Sequence, residues 1–147
     1  FFFFFFFDHH FQYNAVKVLP GEYFVYDEDI LIMTTLGSCI AACLWDRNAR
    51  IGGMNHFLLP EGSGAGTDAG RRYGAYAMEL LINDMLKAGA RRDRLEAKLF
   101  GGGRMFDSLR DVGRSNADFA EKFLRDEYSW FRLSEMSYDQ YMTSIKL

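Results

Sequence analysis

Cys39 and His56 are the residue types from which a thiol hydrolase is built, and their spacing about a turn puts them within reach of each other. Reading IAACLWD and ARIGGMNHF as antiparallel strands joined at Asp46, Arg47, Asn48 and Ala49 sets Trp45 opposite Arg50 and Cys39 opposite His56. Directly opposed residues have Cβ atoms about 4.5–5.5 Å apart, so an imidazole reaches a thiol there. The chemistry needs that proximity because the thiolate is the nucleophile and a free thiol, with a pKa of about 8.5, is mostly protonated at neutral pH. An adjacent imidazole supplies the activation. Leu36, Gly37 and Ser38 read as a turn just before the cysteine, whose backbone N–H groups are placed to bind an oxyanion, with Thr35 beside them in the cleft. The competing account is a small buried strand cysteine and a hydrogen-bonded core histidine, and spacing alone does not choose between them.

Other chemistries fail on spacing. Cys39, Cys43 and His56 offer three soft ligands for zinc, but there is no C-x-x-C and no fourth soft ligand nearby, so no metal site is expected. A cysteine phosphatase wants an arginine six residues after the cysteine, where Trp45 stands. Phe100-Gly101-Gly102-Gly103-Arg104-Met105 lacks the following Gly-Lys-Ser/Thr of a phosphate loop and reads as a tight connection. A papain-like peptidase shares the dyad but carries its cysteine and histidine on distant elements. Cys43, on the same strand face as Cys39, reads as packing.

The elements that must hold the pair can be read on either side of it. Glu22 to Tyr26 and Ile30 to Thr34 read as strands from their aromatic and β-branched content. Glu61 to Gly70 is a glycine-rich loop in which Gly62 to Gly66 reads as a mobile surface segment. From Arg71 the residues Tyr73, Ala77, Leu80, Leu81 and Met85 recur at helical spacing up to Gly89. Leu95 to Phe100 reads as a strand, Ser115 as an N-cap, and Ala117, Ala120, Phe123 and Leu124 as the apolar face of a second helix. Asn55, next to His56, is expected on the opposite sheet face. This order predicts an α/β (α+β) sandwich, a mixed or antiparallel sheet covered by helices, with Cys39 and His56 on a β-hairpin.

Composition bounds the rest. A 147-residue chain with 49% hydrophobic residues suits a single compact domain, expected over residues 16–147. A net charge of −3 gives no footprint for nucleic acid. No run of about 20 apolar residues exists to insert in a membrane. Two cysteines close in sequence suit a reducing cytoplasm better than a secreted disulfide framework. Phe1 to Phe7 lack the basic start and small-residue cleavage site of a signal peptide and form an aggregation hazard, so residues 1–15 are read as an artefactual or disordered lead. Past Gly113 there is neither glycine nor proline, and the stretch from about residue 125 has no strong turn punctuation.

Four blocks, LGSCIAACLWD, IGGMNHFLLP, RYGAYAMELLINDML and LEAKLFGGGRMF, stand in the order found in the CheD family of chemoreceptor glutamine deamidases, and the chain resembles that family from about Val16 to Leu124. The resemblance implies a layered α/β fold and hydrolysis of selected glutamine side-chain amides to glutamate on the cytoplasmic helices of chemoreceptors. It implies Cys39 as nucleophile, His56 as base and no cofactor. The family also uses a threonine shortly before the cysteine to orient the histidine, for which Thr34 is the first choice and Thr35 the second. It sets Gly101, Gly102 and Gly103 beside the cleft, where missing side chains let a receptor helix approach. A CheC-type phosphatase is a further partner that the resemblance brings, and a docking module for that phosphatase with little catalysis is the alternative function. The family continues with a strand, a glycine turn and a strand where YSWFRLSEMSYDQYMTSIKL stands, and that ending does not match.

Overall fold

Alternating β-branched and aromatic stretches become two facing sheets, one of them backed by helices. The computed structural model describes residues 3–59, 68–103, 112–127, 132–133 and 142–146. Its strands are β1 (Phe5–Asp8), β2 (Tyr13–Lys17), β3 (Tyr23–Tyr26), β4 (Leu31–Thr35), β5 (Ile40–Asp46), β6 (Ile51–Asn55), β7 (Glu96–Gly101), β8 (Arg132–Leu133) and β9 (Met142–Lys146). The helices are α1 (Asp68–Lys87) and α2 (Val112–Glu127). One sheet runs β1-β2-β4-β9 and the other β3-β6-β5-β7-β8. Both are mixed, because β2 and β4 are parallel in the first and β7 and β8 in the second. The α+β expectation of mixed sheets covered by helices is met.

Strand β5 explains the layering. All its residues except Trp45 are buried, as a strand covered on both faces must be. Ile40, Ala42 and Leu44 pack with Met78, Leu81, Ile82 and Met85 of α1 and Ala117, Ala120 and Leu124 of α2. Ala41 and Cys43 pack the other way, with Met54 of β6, Phe24 of β3, Val16 of β2 and Ile32 of β4, and this cluster is the core between the sheets. Gly74 lets the two helices close, since a Cβ there would strike the Phe119 ring. Among the described residues no helix is long and apolar enough to cross a membrane.

The hairpin register differs from the expected one. Asp46 pairs with Ile51 and Cys43 with Met54, so the loop is Arg47 to Arg50 and the pairing is displaced by two residues. The cause is the buried Asp46 carboxylate, which ends β5 as an acceptor instead of opening the turn. Its Oδ1 takes the amides of Asn48 and Ala49 at 3.0 and 3.1 Å, its Oδ2 takes the amide of Arg91 at 2.9 Å, and Arg94 pairs with it at 3.0 Å. Arg50 closes the loop in the left-handed region at φ 58°.

Smaller differences follow the same pattern of ends moving while elements stay. Helix α1 begins at Asp68, ahead of Arg71, and its buried face carries Met78 and Ile82 while Tyr73 is exposed. Ser115 lies inside α2, which starts at Val112, so it is no N-cap. The phenylalanine lead, left out of the fold on sequence grounds, supplies β1, which pairs antiparallel with β2. Phe3 and Phe5 set their ring edges against Phe24. Most of the glycine-rich loop, residues 60–67, lies outside the described residues, as does Arg104.

Candidate functional site

An even displacement keeps side chains on their original face, so the two-residue shift moves Cys39 relative to His56 without separating their faces. Ile40 now bridges Phe57, with both backbone hydrogen bonds at 2.9 Å, and Cys39 stands just before β5. His56, just after β6, comes level with Ala41, one step along the same face from Cys39. Such diagonal neighbours are about 7 Å apart in a regular sheet, farther than a directly opposed pair. Cys39 is packed against the core between the sheets, the side toward which His56 points.

His56 is held from the facing sheet. Thr34 Oγ1, on β4, lies 2.7 Å from His56 Nδ1 and 2.6 Å from the carbonyl oxygen of Val18. A hydroxyl has one proton, and a carbonyl can only accept. Thr34 therefore donates to Val18 and accepts from Nδ1–H, which leaves the neutral ring's lone pair on Nε2. That atom is buried and makes no hydrogen bond among the described residues, to Cys39 Sγ included. Main-chain bonds from His56 N to Glu22 O at 3.0 Å and from Gly21 N to His56 O at 2.8 Å fix the ring's base. An imidazole held in this way is a base with an open acceptor.

The loop carrying Cys39 is held by its carbonyls. Gly103 N donates to Gly37 O at 2.9 Å, Asn116 Nδ2 to Ser38 O at 2.9 Å, and Gly102 N to Cys39 O at 2.9 Å. The glycines are required for this contact. Gly101 sits at φ 104°, and a Cβ on it would strike the Cys39 carbonyl. Gly102 sits at φ 70° with Gly113 O 2.9 Å from where a Cβ would stand. Gly113, in the first turn of α2, lets the helix backbone rest on Gly102 and Gly103.

Burial sets the charge states. It pushes the Cys39 thiol above its ordinary value, against a smaller opposing pull from the residue's own amide. It pushes His56 below its ordinary value, outweighing the Val18 carbonyl and Glu22, which favour the charged ring. Each shift taken by itself favours the uncharged form, thiol for Cys39 and imidazole for His56. Cys43 is fully buried, its thiol pushed far up by desolvation.

Of the residues singled out from sequence, Cys39, Thr34 and His56 share the space between the sheets, with Gly37 and Ser38 half-buried beside them. Thr35 is exposed on the opposite side of β4 from Thr34. Gly101, Gly102 and Gly103 are buried against the Cys39 loop and α2. Asn55 points to α1 as expected, with Oδ1 on the Ala42 amide and Nδ2 on the Ala77 carbonyl. Among the described residues no three His, Cys, Asp or Glu side chains gather as a metal site. Sequence reading missed Asn116, which looks like any polar residue on a helix that offers only an apolar stripe as its signal.

The family model described as CheD chemotactic sensory transduction matches residues 58–135. A probable chemoreceptor glutamine deamidase CheD from Caulobacter sp. strain K31 is 67% identical over 115 residues, which cover 76% of this chain and 61% of that one. A probable chemoreceptor glutamine deamidase CheD 1 from Albidiferax ferrireducens is 57% identical over 122 residues, covering 82% of this chain and 51% of the relative. The chain thus spans about half to three-fifths of the length of these curated relatives. The crystal structure of a Neisseria meningitidis protein of the DUF152 family shares the fold at a TM-score of 0.51 and 11% identity, over 81% of this chain and 53% of that one. With the family model matching more than half of its residues, this chain belongs to the CheD family.

Proposed function

We propose that this chain hydrolyses glutamine side-chain amides on the cytoplasmic helices of bacterial chemoreceptors, with Cys39 as nucleophile, His56 as general base and acid, and Thr34 as the group that orients His56. The observation that carries the reading is the tautomer of His56, which Thr34 fixes with the ring lone pair on Nε2, an atom that has no hydrogen-bond partner among the described residues. Buried side-chain nitrogens in a packing role are in the large majority hydrogen-bonded. The names of the curated relatives support the substrate class.

Because both groups rest neutral, the thiol loses its proton only when it attacks. Nε2 takes the Cys39 proton as Sγ adds to the glutamine Cδ, and the carbonyl oxygen becomes an oxyanion met by the amides of Ser38 and Cys39. The tetrahedral adduct collapses, Nε2–H gives its proton to the departing nitrogen, and ammonia leaves a γ-glutamyl thioester. Water then attacks the thioester carbonyl as Nε2 takes its proton, the C–S bond breaks, and the sulfur recovers that proton. Glutamate and the free enzyme result, and no cofactor enters. The same acyl-enzyme serves methyl-ester hydrolysis. Gly101, Gly102 and Gly103 serve the substrate through the loop they hold.

Incubating the protein with receptor cytoplasmic fragments and mapping peptides tests this. Conversion of specific glutamines to glutamate that disappears in Cys39→Ala supports it. Absence of any Cys39-dependent conversion would leave the phosphatase-docking module as the better account.

A further inference from the structure

Asn116 is buried in the second turn of α2, and both halves of its carboxamide are used. Oδ1 accepts the Leu59 amide at 3.2 Å, three residues after His56, and Nδ2 donates to the Ser38 carbonyl at 2.9 Å, one residue before Cys39. The two partners leave one orientation of the amide, because an N–H must meet an acceptor and a C=O a donor. One side chain therefore ties α2 to both segments that carry the dyad.

The tie to Ser38 has a directional consequence. In a planar trans peptide the C=O and N–H of one unit point opposite ways, and the described residues contain no cis peptide. With the Ser38 oxygen drawn to Asn116, the Cys39 N–H of that unit is directed away from α2. With the Gly37 oxygen drawn to Gly103 N, the Ser38 N–H is likewise turned from the glycine loop. We propose that Asn116 is the positioning residue of the oxyanion site, holding the Ser38–Cys39 peptide so that its N–H faces the carbonyl oxygen of an acyl group on Cys39. This rests on Cys39 being an acyl-accepting nucleophile, as above.

Asn116→Asp isolates the claim, since it keeps an oxygen for Leu59 N–H and replaces the donor facing Ser38 O by a second oxygen. Asn116→Ala removes both bonds without adding charge. Cys39 is acylated with p-nitrophenyl acetate and, separately, alkylated with iodoacetamide, on each variant at a temperature below its measured unfolding midpoint. Acylation passes through an oxyanion and alkylation at a saturated carbon does not. The expected result is a fall in acylation of about tenfold or more for both variants, with alkylation within about twofold of the parent. A merely structural role would lower both rates together, and that result, or unchanged acylation, overturns the inference. Asn116-dependent acylation in a protein that leaves receptor glutamines intact removes the receptor reading alone, whereas receptor conversion by Asn116→Asp at the parent rate removes the Asn116 inference alone.

Discussion

Thr34 Oγ1 stands 2.7 Å from His56 Nδ1, and because its own proton goes to the Val18 carbonyl, it can only accept from that ring nitrogen. A threonine on one sheet thus selects the tautomer of a histidine on the other and leaves Nε2 as the basic atom. Thr34→Val removes the acceptor while nearly preserving shape, and is expected to lower kcat by about tenfold to a hundredfold, with Thr34→Ser within about threefold of the parent. Imidazole nitrogen NMR provides the second readout, with the proton on Nδ1 in the parent and a tautomer mixture in Thr34→Val.

The depressed pKa of His56 makes stability depend on pH in a defined window. In the unfolded chain this residue titrates at about its ordinary value of 6.5, and in the folded protein lower, because burial disfavours the charged ring. Below 6.5 the unfolded state takes up a proton that the folded state refuses. Stability therefore falls as pH drops through 6.5 toward the folded value and stops changing once both states are protonated. Denaturant midpoints measured across this range should lose that component in His56→Gln, and the acid limb of activity should lie below pH 6.5.

Thiol labelling reports the resting charge state. Cys39 is half-buried with a raised pKa, so iodoacetamide should modify it slowly near neutrality and faster as pH rises. Since the imidazole does not hold a thiolate at rest, His56→Ala should change that rate by less than about threefold. Cys43, with no exposure, should label only on unfolding. Rapid labelling of Cys39 at neutral pH that depends on His56 would mean a preformed thiolate–imidazolium pair.

How much of this was legible in the chain depends on which forces were local. The pattern of strands and the α+β class follow from alternation of side chains along the chain. The register was missed because Asp46 is set by partners at Arg91 and Arg94, far along the sequence, which decide where β5 stops. The phenylalanine lead carries no turn or strand punctuation of its own, yet alternating aromatic faces suffice for an edge strand once Phe24 is there to meet them. The pairing of β9 with β4 closes a sheet across most of the chain's length, and nothing local to residues 142–146 announces it. Asn116 acquires its meaning only when α2 is laid beside Ser38 and Leu59.

Gly102 is a case in which the fold replaces one expectation with another. A missing side chain there was expected to admit a receptor helix, but the residue is buried at φ 70°, with the Gly113 carbonyl 2.9 Å and the Ala117 methyl 3.0 Å from a Cβ site. Gly102→Val should cost about 2 kcal/mol or more of stability, from the left-handed backbone alone. It should also disturb the Cys39 loop through the bond from Gly102 N to Cys39 O. Thermal unfolding and Cys39 alkylation on the same variant check both effects, and a variant of parental stability would return Gly102 to the substrate surface.

The γ-glutamyl thioester on Cys39 is the step on which the proposed reaction turns, and trapping it is the most direct test. Receptor cytoplasmic fragments are incubated with the protein in hydroxylamine, which competes with water for a γ-glutamyl thioester, and modified residues are located by peptide mass. The expected product is γ-glutamyl hydroxamate at the same receptor glutamines that become glutamate without hydroxylamine, with no hydroxamate from Cys39→Ala or His56→Ala. Glutamate formed without any hydroxamate, or hydroxamate that persists after Cys39→Ala, would contradict a thioester on Cys39.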